Sequence, residues 1–536
     1  MFKKNEMVEL LQKEKTLAES IANRAERIPE HTALIYDGEK TTFKQLNDKA
    51  DSLAAAFLKM GIGAKDRIAV ILPTRPEFLY VWYAASKIGA AVVGLNVRYR
   101  HEEIAYMVND AKPSVLVCIN SFAGTNYNDF LSPILPKLLS VKHFVFLGPT
   151  GFTGAVDFGK LIEEKADHRA INRIAAEVDP AGDNFIIYTS GTTGRPKGAV
   201  LTQKSILAMM RPWTRNIGLN EEDKMFCCLP LNHVGGGTIL ALSTLASGAT
   251  LVMADTFVPD KTLTIIHDLQ CEAIGAVPTI YAILFSLPDF RKEILSSLQL
   301  AIYGGAAASP ALLEKMRNNI NGVIMACYGA TEVSGFCTYT SISDPIEKIM
   351  ITVGRAPEGV GMRIVDPLTR KTLAVRETGE VAIKGDLLID RYLNMPEETQ
   401  KAFDREGWFY TGDMGYLDEK GYLTLVGRYK EMYICGGYNV YPKEIEDVLM
   451  AHPAVAMAAV IGIPDEIKGE VGWAFVMKKP GSEVRDEELR QYCKSKLADY
   501  KVPSRIMIES VLPMTALGKI DKMKLKADLP APKISK

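Results

Sequence analysis

Between residues 46 and 118 the sequence alternates helical and extended apolar patterns, and that alternation limits the folds open to the chain. Leu46, Ala50, Leu53 and Phe57 step by four, three and four residues, the spacing of one helix face. Gly61 and Gly63 stop that pattern, and Arg67-Ile-Ala-Val-Ile-Leu reads as a buried strand. Residues 77–87 predict a second helix, ended by Gly89 ahead of Ala91-Val-Val-Gly-Leu. Ile104, Met107 and Val108 begin another helical turn before a strand at 114–118. The same alternation runs through 226–253 and 273–303. Repeated units of this kind imply an α/β fold with largely parallel sheets covered on both faces.

A chain of 536 residues exceeds what one hydrophobic core usually serves, so two or more domains are expected. The pattern changes near 425. After Gly427-Arg428-Tyr429-Lys430 come a glycine pair, Gly436 and Gly437, and a helix opened by Pro442 with Ile445, Val448 and Leu449 on one face. Apolar strands follow at 454–463 and 471–477, and Leu489, Cys493 and Leu497 mark a last helix. This predicts a large N-terminal domain of αβ-layered sheets over 1–429 and a small α+β domain over 430–536.

A formal net charge of −1 argues against a nucleic-acid partner, which asks for a basic stripe. The eight cysteines form no CxxC pair or Cys/His cluster, so no thiolate metal site is expected. The N-terminus is too charged for a secretory signal. The apolar stretch 238–254 is interrupted by serines, threonines and Gly248 and reads as helix, turn and strand, not as a membrane span. A cytoplasmic protein is expected, with peripheral membrane contact and homodimerisation left open.

The chemistry begins at Tyr188-Thr-Ser-Gly-Thr-Thr-Gly-Arg-Pro-Lys-Gly-Ala-Val200. Thr189, Ser190, Thr192 and Thr193 supply hydroxyls; Gly191, Gly194 and Gly198 let backbone approach a ligand closely. Arg195 and Lys197 supply charge, and the whole suits a polyphosphate. A Walker A loop would place Lys-Ser/Thr directly after its last glycine and lead into a helix. Here Lys197 stands three residues after Gly194 and runs into the β-prone Ala-Val-Leu-Thr.

Eight further motifs accompany the loop: LPLNHVGGG (229–237), YGGAA (303–307), YGATE (328–332), GEVAIKG (379–385), WFYTGD (408–413), GRYKE (427–431), GGYNVYPKEIE (436–446) and LGKID (517–521). In this order the chain resembles the adenylate-forming superfamily of acyl-CoA synthetases, luciferases and peptide-synthetase adenylation domains over nearly its whole length. The resemblance implies an ATP-dependent carboxylic acid–CoA ligase. The acid attacks the α-phosphate of ATP to give acyl-adenylate and pyrophosphate, and the thiol of coenzyme A then displaces AMP. It implies that Ser190, Thr192, Thr193 and Lys197 hold the outer phosphates, that Thr331 donates to the α-phosphate, and that Glu332 ligates Mg²⁺. Gly304, Gly305, Ala306 and Ala307 would form one wall of the adenine slot, and Tyr328, followed by Gly329, the other. Asp413 and Arg428 would bind the ribose. Lys519 would sit between carboxylate and α-phosphate, a place for a mobile point charge. Lys430 matches the family's hinge, about which the small domain would rotate to bring Gly436 and Gly437 to the thiol channel. Taken singly, Thr331-Glu332 reads as a helix start, Tyr328 as core, Asp413 as a turn residue and Lys519 as a solvated lysine; their roles rest on the resemblance.

His233 stands at the aromatic position that lines the acid site and gates it in the family. Gly235 and Gly236 are expected to leave room beside the acyl group, with Gly304, Cys327, Val333 and Ser334 lining the rest. Cys327 replaces a glycine frequent in long-chain enzymes, which would shorten or redirect an acyl tunnel. Residues 232–246 contain no acid, so an amino-acid substrate, whose ammonium needs a buried partner, is disfavoured. A medium- to long-chain fatty acid comes first, an aryl or alicyclic acid second. An acyl-AMP ligase that loads a carrier protein is a further alternative.

Overall fold

A computed structural model describes residues 5–189, 196–514 and 520–529. Its architecture is mixed α/β, and two eight-stranded sheets form most of the large N-terminal part. The first has six adjacent parallel strands, Thr32–Tyr36, Thr250–Met253, Lys224–Cys227, Ala273–Ala276, Leu300–Gly304 and Val323–Ala330, with an antiparallel strand on each edge. In the second, Ala91–Leu95 and Arg67–Ile71 lie at the centre, and Asp183–Thr189 joins them in parallel. Lys197–Thr202 then turns back antiparallel on Asp183–Thr189 and carries the edge strand Arg391–Tyr392.

The expected helices form. Phe43–Lys59 buries Leu46, Ala50, Leu53 and Phe57 completely and begins with a Thr42/Gln45 capping box, two otherwise orphaned donors being satisfied reciprocally. Pro76–Ile88 ends on Gly89 at φ 72°, the left-handed cap that glycine adopts without steric cost. After 360 the alternation stops: Gly361–Val365, Gly379–Lys384, Phe409–Leu417 and Leu423–Arg428 make a four-stranded antiparallel sheet. The change of fold pattern therefore precedes 425, where the sequence pattern changes.

The smaller C-terminal part is a five-stranded sheet covered by Pro442–Met450 and Asp486–Lys494. The second of these helices ends before Leu497 and is not the last. Lys522–Ala527 follows, capped by Asp521. The side chain of Tyr433 lies across two directly paired glycines of that sheet, Gly462 and Gly472. A Cβ at Gly472 would sit 2.2 Å from the Tyr433 hydroxyl. Among the described residues no helix is long and apolar enough to cross a membrane.

Candidate active site

Leu300–Gly304 and Val323–Ala330 are adjacent parallel strands, and ligands bind outside the carboxyl ends of the strands in such sheets. Gly305 turns at φ 76°, and Gly305, Ala306 and Ala307 are exposed. On the neighbouring strand Tyr328 is buried, and its hydroxyl donates to Asp413 Oδ2 at 2.7 Å. Arg428 Nε donates to the other oxygen, Oδ1, at 2.9 Å. Asp413 and Arg428 face each other across the antiparallel ladder, so Arg428 from the paired strand and Tyr328 from 85 residues away meet at one carboxylate. Burial pushes the Tyr328 phenol well up, and the charge of Asp413 raises the Arg428 guanidinium. A carboxylate accepts about four hydrogen bonds, so one lone pair on each oxygen is left for two vicinal hydroxyls.

Asp413 is itself held. Gly412 turns at φ 74°, its N–H donates to Glu380 Oε1 at 2.9 Å, and Glu380 is ion-paired to Arg370. Thr411 donates to the Val381 carbonyl and accepts from the Asp413 N–H at 3.0 Å. Glu380 belongs to a recognised motif, yet nothing in its spacing signalled this support. Gly329 has a packing reason: a Cβ there would lie 1.9 Å from the Gly335 carbonyl.

Of the residues expected to meet phosphate, Ser190, Gly191, Thr192, Thr193, Gly194 and Arg195 lie outside the described residues, as does Lys519 in the tail. Thr189 and Lys197 face each other where the two strands close. Lys197 is ion-paired to Glu398 and lies 5.1 Å from the ring centroid of Tyr392. The Tyr392 hydroxyl donates to Glu332 Oε1 at 2.7 Å. Lys197, through hydrogen bonding, and then Lys401 hold the Glu398 carboxyl down at about 2. Thr331 and Glu332 sit in a short 3₁₀ turn directly after the Tyr328 strand. Tyr392 and Glu398 lie between the motifs at 379–385 and 408–413, and no local pattern marks them. Among the described residues no hydrogen bond or ion pair takes the second oxygen of Glu332, and no cluster of three metal-ligating side chains occurs. One carboxylate with an available oxygen fits Mg²⁺, which keeps its waters and takes the rest of its shell from phosphates.

Two of the residues expected to line an acid pocket, Gly236 and Ser334, have other surroundings. The Gly235 N–H donates to His233 Nδ1 at 3.1 Å, so in the neutral ring the proton sits on Nε2. A Cβ at Gly235 would face that ring at 3.3 Å. Gly236 does not leave room for an acyl group: a Cβ there would lie 2.4 Å from the carbonyl oxygens of Leu229 and Pro230. The glycine is needed because the backbone doubles back into the wide π-helical turn Gly235–Leu242. Ser334 also departs from its expected place. At φ 55° and fully buried, it donates to Ser205 Oγ at 2.9 Å, and its carbonyl accepts from Thr238. Its hydroxyl is therefore committed to the N-terminus of the helix Gln203–Ile217. Val333 is buried in the main core. Cys327, its thiol pushed well up by burial, pairs with Gly304, whose absent side chain would meet the Cys327 carbonyl at 3.0 Å and the Phe336 ring at 3.2 Å.

Lys430 is exposed in a turn immediately after the strand that carries Arg428. Gly436 and Gly437, at φ 59° and 86°, form the two-residue loop of a hairpin, with open space where Cβ atoms would be. Positive φ at both loop positions is the hairpin geometry that glycine favours.

The family model of the AMP-binding enzyme matches residues 21–393, and that of the AMP-binding enzyme C-terminal domain matches 444–519. The chain is 33% identical over 515 residues to the 3-[(3aS,4S,7aS)-7a-methyl-1,5-dioxo-octahydro-1H-inden-4-yl]propanoyl:CoA ligase of Mycobacterium tuberculosis, covering 96% of this chain and 98% of that one. It is 32% identical to a long-chain-fatty-acid–CoA ligase of Bacillus subtilis, with 95% and 94% covered. The o-succinylbenzoate CoA synthetase of Bacillus subtilis, solved with its acyl-adenylate intermediate, superposes with a TM-score of 0.79 at 28% identity, with 95% and 97% covered.

Proposed function

The chain belongs to the AMP-binding enzyme family and is an AMP-forming acid–thiol ligase, an acyl-CoA synthetase using ATP and coenzyme A, and from that premise we propose that its acid is a medium- to long-chain fatty acid. The observation that carries the reading is that residues 232–246, around His233, hold no Asp, Glu, Lys or Arg, and so offer nothing to pair an ammonium or a second carboxylate. The long-chain relative supports it. A second reading, an alicyclic or aryl acid, draws on Cys327 and Phe336 crowding Gly304, which favours a compact acyl group.

In the proposed mechanism Asp413 accepts from both ribose hydroxyls while Tyr328 and Arg428 fix its orientation. Tyr328 and the 304–307 turn enclose adenine. Lys197, with the hydroxyls of the preceding loop, neutralises the outer phosphates, exchanging Glu398 for them as ATP enters. Thr331 donates to the α-phosphate. Glu332 would hold Mg²⁺, which when bound supplies positive charge against the phosphates. Lys519 stabilises the charge that moves from carboxylate to α-phosphate. The domain then turns about Lys430, and the open Gly436–Gly437 hairpin admits the thiol, which attacks the acyl carbon as AMP leaves. We place the enzyme in the cytoplasm, consistent with eight buried free cysteines and a reducing compartment. A panel of fatty, alicyclic and aryl acids, each assayed for pyrophosphate release with ATP, tests the substrate. Highest kcat/KM for a straight-chain acid supports the first reading, and preference for a ring acid replaces it with the second.

A further inference from the structure

Tyr392 lies outside all nine motifs and joins the two ends of the phosphate site. Its backbone is fixed twice: the edge strand pairs it with Ala199, and its N–H donates to Thr399 Oγ1 at 3.0 Å. The same short strand is anchored by Arg391, whose guanidinium takes both oxygens of Asp183 at 2.9 Å. Ring and hydroxyl then do different things. The ring lies beside the Lys197 ammonium at 5.1 Å, within the reach of a cation–π contact. The hydroxyl, on a residue 7% exposed, reaches Glu332 Oε1 at 2.7 Å.

We propose that Tyr392 is a positioning residue for adenylation: it occupies one oxygen of Glu332, presents the other to Mg²⁺, and sets that carboxylate relative to Lys197. A carboxylate on a short turn has torsional freedom that one buried donor removes. The outer partners of metal-ligating groups typically contribute about 10–100-fold to metal affinity. Glu398 completes the arrangement as the counterion that Lys197 leaves when phosphate arrives. The inference rests on Glu332 being the Mg²⁺ ligand, and the test separates the two.

The experiment is calorimetric binding of a non-hydrolysable ATP analogue at a series of Mg²⁺ concentrations, to full-length wild type, Tyr392→Phe, Glu332→Gln and the double variant. Tyr392→Phe keeps the ring and its contact with Lys197 and deletes only the hydroxyl. The expected result is a rise of roughly tenfold in the Mg²⁺ concentration at half-saturation for Tyr392→Phe. Glu332→Gln alone raises it at least as far, and the double variant adds nothing. A Tyr392→Phe that binds with wild-type Mg²⁺ dependence overturns the proposal. So does a Tyr392→Phe effect that persists in full in the Glu332→Gln background, since the hydroxyl then acts elsewhere. A Glu332→Gln variant with unchanged Mg²⁺ dependence removes the Glu332 assignment, and the proposal with it. Glu332→Gln also guards against misfolding, because its amide oxygen still accepts from Tyr392.

Discussion

Replacing Asp413 by asparagine isolates the ribose contact with little structural disturbance. Oδ1 accepts from Arg428 and Oδ2 from Tyr328. An asparagine would turn its oxygen to Arg428, which has only donors, and its NH₂ to Tyr328, whose hydroxyl can reverse and accept. Both protein contacts then survive in altered form, but one of the two acceptors offered to the ribose is lost. A hydrogen bond to a charged acceptor is worth about 1.5–3 kcal/mol, and about 1.4 kcal/mol is tenfold. Asp413→Asn should therefore weaken ATP binding roughly 10- to 150-fold. Since ATP and AMP share the ribose, AMP should weaken by the same factor. Tyr328→Phe frees a lone pair on Asp413 and should cost only about fivefold, the worth of about 1 kcal/mol. Calorimetric titration of both nucleotides into each variant measures this. Asp413→Asn that weakens ATP but not AMP, or neither, refutes the reasoning.

Lys519→Ala should lower adenylation by about 10²–10³ and leave thiol transfer from preformed acyl-adenylate intact; equal loss in both half-reactions contradicts its role. Lys430→Pro, by fixing φ, should spare pyrophosphate release and impair thioester formation, and normal overall turnover would sink the hinge. Glu398 titrates at about 2 beside Lys197, below its ordinary carboxylate range. The pair's stabilisation is thus fully present above about pH 4.5 and is lost as pH falls toward 2. The melting-temperature gap between wild type and Glu398→Gln should accordingly be constant from pH 5 to 8 and close in stronger acid; a gap that opens on acidification contradicts the sign.

What was legible in the sequence follows from range. The helix Phe43–Lys59 and its neighbours announce themselves because their apolar spacing is local, and Gly89 marks a cap through its own φ. The candidate site residues come from compact motifs, and the structure brings Tyr328 and Arg428 to the carboxylate of Asp413. Tyr392 and Glu398 were invisible because the antiparallel edge pairing with Lys197–Thr202 brings Tyr392 to Glu332, and the helix Pro396–Ala402 that follows brings Glu398 to Lys197. Gly236 and Ser334 misled for a related reason. A glycine looks like open space in a string of letters, but here two carbonyls occupy that space. A serine beside a motif looks available, but its hydroxyl serves a helix terminus 129 residues away in sequence. The antiparallel sheet after 360 lacked the alternation that marked the parallel ones.

The central claim is that one site makes an acyl-adenylate and then surrenders it to a thiol. Acid labelled with oxygen-18 in both carboxylate positions, incubated with ATP, coenzyme A and the enzyme, tests this by mass spectrometry of the products. If the carboxylate attacks the α-phosphate and the thiol then attacks the acyl carbon, one labelled oxygen leaves with AMP and one stays in the thioester, with none in pyrophosphate. Unlabelled AMP, or label in pyrophosphate or in ADP, would contradict the account.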